Sequence, residues 1–533
     1  MDTDCIPFKQ TGYFSNLICD YLEEADTLKN FYHRFPNLDN FKEQIEEKRA
    51  NYPKTHRGIL NKALKNQYEG VQIHKKTQTN IDKLQKDNTF TVVTGHQLNL
   101  FTGPLYFLYK IISTINLTEE LKKKYPDQYF VPVYWMATED HDFEEINYFN
   151  YAGKKIQWNR EASGAVGKLD TEGLEAVYEV FSNALGDSKN ANFLRTLFSS
   201  AYLKHKSLTE ATRFLANELF GAYGLVILDG DDKTLKSLLT PYVEKEVLEN
   251  VSFDKVTKTA TQLRATSDTY KIQVNPREIN YFYLADGIRE RIIEKKGVFV
   301  VNDTKIEFTK EQLITEINQF PERFSPNVIT RPLYQEVILP NLCYIGGGGE
   351  LAYWLELKSA FEAVKVTFPM LLLRNSALLI TEKQYAKVGK LNLEVADLFL
   401  KQNTFINKKI REISNIDIDF TPQKESLTTQ FQALYELAKQ TDESFIGAVK
   451  AQEKKQHKGL DRLEKRLLKA QKRKLKDQVI RMTEIQNILF PNGSLQERNL
   501  NFSELYMEWG EDLIPMLITA LKPLKTEFFV LRH

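Results

Sequence analysis

Between Thr89 and Ala137 the chain runs apolar strand, glycine loop, apolar helix, apolar strand, and that order constrains the core more than anything else. Thr89-Phe90-Thr91-Val92-Val93-Thr94-Gly95 is a β-branched and aromatic run closed by glycine, the pattern of a buried strand entering a loop. After Gly103-Pro104, residues Leu105 to Lys124 place apolar side chains at helical spacing and end on lysines, as a helix C-terminus favours. Pro104 suits the first position of that helix. Phe130-Val131-Pro132-Val133-Tyr134-Trp135-Met136-Ala137 is the second strand. Strand, crossover helix and strand form a βαβ unit, which is right-handed and belongs to a parallel sheet.

Other segments extend this pattern. Gly224 to Asp232 reads as a strand entering an acidic loop, and Pro340 to Ile345 as a strand entering the glycines Gly346 to Gly349. A helix over Leu351–Ala363 follows, and Phe368 to Arg374 closes the parallel series. Thr269 to Thr309 alternates like an antiparallel patch, with turn signals at Asn275-Pro276 and Asn302-Asp303. The chain up to about Lys86 reads as helices. From Lys383 to Phe490 strand signals vanish. Leu427, Phe431, Leu434, Ala438, Thr441, Phe445 and Ala448 step by four and three, and Leu460, Leu463, Leu467 and Ala470 repeat the rhythm. That is coiled-coil spacing, and some 65 residues of unbroken helix would span about 100 Å. Gly447 and Gly459 are the candidate interruptions. Beyond Pro491-Asn492-Gly493-Ser494 the chain turns back toward a short C-terminal helix. The expected class is α/β: a parallel core, an inserted domain and a helical C-terminal region. The expected segments are 1–88, 89–150, 151–323, 324–382, 383–490 and 491–533.

A chain of 533 residues exceeds one ordinary core, so two or three folding units are expected. Lys and Arg number 72 against 71 Asp and Glu, which argues against a general nucleic-acid coat. Cys5, Cys19 and Cys343 form no CxxC pair, so neither a disulfide framework nor a zinc site is expected. The acidic start Met1-Asp2-Thr3-Asp4 leads into no apolar leader, and the most apolar stretch, Val364–Ile380, is interrupted by Lys365, Pro369, Arg374 and Asn375. A cytoplasmic protein without a membrane partner is the expectation.

Three loops could carry chemistry. Thr94-Gly95-His96-Gln97, running on to Gly103, lies between a parallel strand and a helix, where free backbone N–H groups favour anions. It matches neither the dinucleotide fingerprint nor the P-loop; His96 and Gln97 would offer side-chain donors, or the segment is a plain turn. Glu139-Asp140-His141-Asp142 sits where open α/β sheets place their ligands. Its His and carboxylates would bind an amine, hold Mg2+ or act as a base, with Asp140, His141 and Asp142 the catalytic candidates; the alternative is a solvated helix start. Gly346, Gly347 and Gly349 leave room for close ligand approach before Glu350. Upstream, Asn327, Arg331 and Tyr334 add a guanidinium suited to carboxylate or phosphate, or to a structural ion pair. The basic run Lys450 to Lys476 lacks aromatic interleaving and reads as a solvated helical face.

Taken together, IPFKQTGYFSNLICDYL, TGHQLNLFTGPLYFLYK, VPVYWMATEDHDFEEIN, SPNVITRPLYQEVILPNLCYIGGGGELAYW and LFPNGSLQERNLNF, in this order, resemble the bacillithiol biosynthesis cysteine-adding enzymes, a family of cysteine ligases. The resemblance spans essentially the whole chain. It implies a Rossmann-like core related to nucleotidylyltransferases and aminoacyl-tRNA synthetases, with a connecting-peptide insertion and a C-terminal coiled coil that forms a homodimer. It implies the joining of cysteine to glucosaminyl-malate, with ATP and Mg2+ as the expected activating pair. The TGHQ loop then takes the place of the synthetase HIGH motif, and Thr94, Gly95, Gln97, Gly103, Asp140, His141, Asp142, Asn327, Arg331, Tyr334, Gly349 and Glu350 are carried over as pocket residues. Arg374, Ser376 and Arg498 mark a possible second nucleotide site. No KMSKS-like lysine loop is present, so the mode of carboxylate activation stays open.

Overall fold

The computed structural model describes residues 2–533. The chain divides into two compact units: one takes the chain up to Leu378 together with Gln496–Leu531, the other Leu379–Leu495 with Arg532–His533.

The larger unit is organised by five strands, β1 (Thr89–His96), β2 (Tyr129–Met136), β3 (Val226–Asp229), β4 (Asn341–Gly346) and β5 (Met370–Leu373), in the order β5-β4-β1-β2-β3. Every neighbouring pair is parallel. A parallel sheet covered on both faces demands continuous apolar runs, and all eight residues of β1 are buried. Phe90, Val92, Leu342, Ile345 and Leu372 pack with Phe41, Ile45, Leu117 and Leu121 in one core. Pro132 is tolerated inside β2 because β3 pairs with that strand only from Val133 onward.

Helix α1 (Tyr106–Lys124) is the crossover from β1 to β2, and its last turn carries Lys122, Lys123 and Lys124. Pro104 lies just outside it rather than at its first position. The loop between β1 and α1 is left-handed at two non-glycine residues, Phe101 (φ 47°) and Thr102 (φ 69°). Such backbone costs on the order of 1–3 kcal/mol per residue and persists only when partners impose it. Here Asn501 Nδ2 donates to the carbonyls of Phe101 and Gly103, both at 2.7 Å, and the Phe101 N–H donates to Tyr202 Oη at 2.8 Å.

The alternating region forms a second sheet, ordered Glu307–Phe308, Val298–Val301, Ile288–Lys295, Tyr281–Ala285, Phe324–Pro326, with antiparallel pairing throughout. Beyond it, β4 passes through Gly347 into α2 (Gly348–Trp354). The N-terminal segment is not all helical as its spacing suggests: Asp2–Pro7 is a strand beside the C-terminal strand Glu527–Arg532. The chain accordingly ends on a strand, after the helix Leu513–Ala520.

In the smaller unit the heptad run is not one long helix. It folds as a hairpin of α3 (Thr421–Ala438) and α4 (Glu443–Lys474), followed by α5 (Lys476–Leu489). Phe431 and Ala438 of α3 meet Val449 of α4 in a small buried cluster. The break falls at Lys439–Asp442, where the Asp442 side chain accepts the N–H groups of Ser444 and Phe445 and starts the return helix. Gly447 and Gly459 sit inside α4 and interrupt nothing. Among the described residues no helix is long and apolar enough to cross a membrane.

Candidate active site

The strand order reverses between β4 and β1, where Ile345 lies opposite Thr94. Loops leaving the carboxyl ends of neighbouring strands diverge at such a switch point and leave a crevice. A cavity of about 770 Å³ opens there, lined among others by Gly95, His96, Gln97, Asp140, Arg331 and Glu350. That volume is in the range of small-molecule and cofactor sites.

The first wall is built from β1, α1 and α2. Lys110, from the second turn of α1, turns its ammonium to the Gly95 carbonyl (2.7 Å) and to Glu350 (2.6 Å). Glu350 also accepts the Tyr344 hydroxyl and the Gly347 N–H, each at 2.8 Å. Burial acts to raise the Glu350 carboxyl, but Lys110, Gly347 and Tyr344 outweigh it and hold it below its ordinary value. A Cβ on residue 95 would come within 3.3 Å of the Tyr344 hydroxyl and 3.9 Å of the Arg331 guanidinium, so glycine keeps this wall open. His96 is only 7% exposed, its ring packed edgewise against Tyr106 and tilted on Phe107. Burial drives its pKa well below the usual value, and the Lys110 and Arg374 charges add to that. The ring is therefore neutral, and its Nε2 has no hydrogen-bond partner.

A second wall comes from the loops after β2 and β3. Gln97 Nε2 donates to Asp140 (2.9 Å) and Glu145 (3.0 Å), tying the TGHQ loop to the acidic cluster. Glu139 is buried and shares the ammonium of Lys236 with Asp231, at 2.6 and 2.8 Å. Burial pushes Glu139 up while Lys236 pulls it back, and Lys236 between two carboxylates is held above its ordinary value. Asp140, His141 and Asp142 turn potential ligand atoms to within 4.8 Å of one another. They are not a cation cage as they stand, because the Arg289 guanidinium, from the antiparallel sheet, already lies against His141 Nδ1 at 2.6 Å.

Two arginines form the third wall. Arg331 is ringed by Trp135, Tyr344 and Trp354 at 5.7, 5.6 and 6.0 Å, and its Nη1 donates to Gln335. Arg374 pairs with Glu497 at 2.7 Å, donates to Ser376 and lies over the Tyr106 ring. Arg331 Nη2 and Arg374 Nε are both buried and unpartnered. Buried donors left unmade are costly, and they mark where a ligand oxygen would be welcome.

The structure thus brings Gly95, His96, Gln97, Asp140, His141, Asp142, Asn327, Arg331, Gly347, Gly349, Glu350, Arg374 and Arg498 to one cavity. Arg374 and Arg498 open on this same space. Other candidates are placed elsewhere. Thr94 spends its hydroxyl on the Ile345 carbonyl, fastening β1 to β4, and Tyr334 donates to the Gly230 carbonyl from full burial. Gly346 is the last residue of β4, where an added Cβ would strike Leu351, and Ser376 is sealed behind Arg374 against Glu497. Gly103 lines a smaller adjoining cavity of about 290 Å³ with Asn99 and Arg498. Sequence reading passed over Lys110, whose signal is a lone charge inside an otherwise apolar helix start, and Arg289, Lys236 and Glu497, which carry no local signal.

Residues 1–375 match the family model described as bacillithiol biosynthesis BshC, N-terminal Rossmann-like domain, and residues 377–533 match its C-terminal coiled-coil domain. Among similar proteins, one from Christiangramia forsetii is 61% identical, covering 100% of this chain and 99% of its own length. Another, from Flavobacterium johnsoniae, is 59% identical over 100% of both. Both carry the name "Putative cysteine ligase BshC". An arginyl-tRNA synthetase-like structure from Campylobacter jejuni aligns at 11% identity and a TM-score of 0.21, covering 84% of this chain and 98% of its own, too slight a likeness to argue from.

Proposed function

Because the chain belongs to the bacillithiol biosynthesis BshC family, we propose that it is a cysteine ligase that joins the carboxyl of cysteine to the amine of glucosaminyl-malate, the last step of bacillithiol formation. The observation that carries this reading is the polarity of the cavity. One wall offers Asp140, His141 and Asp142 to an amine, and the opposite walls offer Lys110, Arg331 and Arg374 to anionic oxygen. Amide formation from a free carboxylate is uphill, so the carboxylate needs activation, and ATP with Mg2+ supplies an activating phosphoryl or adenylyl group in this reading. Three buried and unpartnered positions, His96 Nε2, Arg331 Nη2 and Arg374 Nε, suit carboxylate or phosphate oxygens and are the residues assigned to hold it. Asp142 or His141 orients the amine and takes its proton as the C–N bond forms. The exposed apolar side chains of the helical hairpin, Leu434, Leu437, Phe445 and Leu463, support a homodimer formed through residues 383–490.

The test is direct. Purified protein given cysteine, glucosaminyl-malate and ATP-Mg2+ yields bacillithiol and a nucleotide product by mass spectrometry. Absence of the thiol product across all nucleoside triphosphates sinks the proposal.

A further inference from the structure

Arg289 stands in an unusual position. It comes from the strand Ile288–Lys295 of the antiparallel sheet and reaches the acidic cluster 148 residues earlier in the chain. Burial lowers its pKa, and the negative charges of Glu139, Asp140 and Asp142 act against that. Yet among the described residues no carboxylate lies within ion-pair distance of it. Its direct polar contact is Nη1 to His141 Nδ1 at 2.6 Å, its Nε is buried without a partner, and its guanidinium lies 4.0 Å from the centre of the Phe282 ring. A guanidinium only donates, so His141 accepts with Nδ1 and carries its proton on Nε2. The Asp140 and Asp142 oxygens stand at 3.7 and 3.8 Å from the two ring nitrogens, too far to bind the imidazole in their own right. The cluster is therefore a seat with negative walls, an aromatic floor and an acceptor nitrogen, filled by a cation that no carboxylate locks in place.

We infer that Arg289 occupies the place of the substrate's amine, as an internal stand-in which the incoming ammonium displaces. This rests on the ligase reading and deepens it by naming the subsite and the residue that guards it. The stand-in sets one positive charge among Glu139, Asp140 and Asp142 and so offsets their mutual repulsion in the empty cavity. It also sets selectivity, because a neutral group cannot repay the loss of the guanidinium, whereas an ammonium restores the same charge. Arg289 acts through His141 and is a positioning residue: its departure frees Nδ1 to meet the amine. It lies on the strand after the Asp286-Gly287 turn, where Gly287 takes φ +69° and Arg289 pairs with Leu284 across the hairpin.

The experiment uses the full-length chain with Arg289→Ala, and methylguanidine as the probe, followed by calorimetry and by the 15N shifts of His141. Methylguanidine binds the variant at least tenfold more tightly than wild type and returns His141 Nδ1 to its wild-type acceptor shift. D-glucosamine then displaces the probe, and D-glucose does not. Equal binding to both proteins, an unchanged His141 shift in the variant, or failure of D-glucosamine to compete would each overturn the inference. Should Arg289→Ala not fold, Arg289→Lys is read the same way: it keeps the charge, so it excludes the probe as wild type does, and tight probe binding to it would refute the stand-in. Loss of the ligase reading shows differently, as no bacillithiol formed by a wild-type protein whose Arg289 variant still exchanges methylguanidine for D-glucosamine.

Discussion

Replacing Lys110 by Met tests the wall that holds the TGHQ loop to α2. Lys110 is buried and bonded to the Gly95 carbonyl and to Glu350. Removing one partner of a buried ion pair costs about 3–5 kcal/mol, because the other charge is left behind. Glu350 keeps two donors, Tyr344 and Gly347, and charge-assisted bonds contribute roughly 1.5–3 kcal/mol each, so the low end, about 3 kcal/mol, is expected. Glu350→Gln on its own leaves the ammonium unpaired and costs a similar amount. The double variant removes both charges and keeps an amide within reach of Tyr344 and Gly347, so its cost falls about 2 kcal/mol or more short of the sum. Tryptophan fluorescence in urea is the assay, since Trp135, Trp158, Trp354 and Trp509 all lie in the larger unit and report on it alone. The pH dependence adds a sign. In the wild type the Glu350 value is depressed, so its stabilisation is present above the ordinary carboxylate range and lost as pH falls through the depressed value. Without Lys110 the depression of the carboxyl shrinks, so Lys110→Met loses less stability than wild type as pH falls through the carboxylate range. Additive single costs within 0.5 kcal/mol, or parallel pH slopes in the two proteins, would refute the reasoning.

Glu356 is fully buried and accepts the Gln273 N–H at 2.8 Å, and burial pushes its carboxyl up to about 7. Its folded value stands above the ordinary one, so its stabilisation is full below about pH 4.5 and lost as pH rises through 7. Glu356→Gln therefore melts above wild type at pH 8 and level with it or below at pH 5, as scanning calorimetry would show. Asp142→Ala lowers bacillithiol formation at least tenfold with little change in melting temperature, because the side chain is exposed; full turnover removes it from the proposed machinery. Leu463→Glu, at a position 52% exposed, together with Leu467→Glu converts dimers to monomers in light scattering; an unchanged mass refutes the hairpin as the interface.

The parallel core was legible because its strands are buried on both faces and so read as contiguous apolar runs at Thr89–Gly95, Phe130–Ala137 and Phe368–Arg374. Glycine loops and an acidic cluster at adjoining strand ends were enough to propose where the cavity lies. What a motif cannot show is which of its side chains face that cavity. Thr94 and His96 are two residues apart in one strand, yet one bonds a neighbouring strand and the other lines the wall. Arg289 and Glu497 reach the site from segments whose local pattern is only hairpin or helix. The coiled-coil rhythm misled at Lys439–Asp442 because two helices of a hairpin present their apolar faces to each other, so the count runs through the turn. The Asp442 cap was the signal there, outweighed by the repeat.

Asn501 has a consequence in time as well as in space. It holds two carbonyls of the loop that follows β1, 400 and 398 residues earlier in the chain. Translation proceeds at about 5–20 residues per second, so that loop waits roughly 20–80 s on the ribosome for the residue that imposes its left-handed turn. The parallel sheet can assemble meanwhile, but Phe101 and Thr102 have no Asn501 side chain to hold them in a costly conformation until the last part of the chain emerges. A nascent chain that already has its core therefore still lacks the finished loop beside the smaller cavity that Gly103 shares with Arg498, and synthesis of the C-terminal segment supplies both the residue that sets this loop and Arg498 itself.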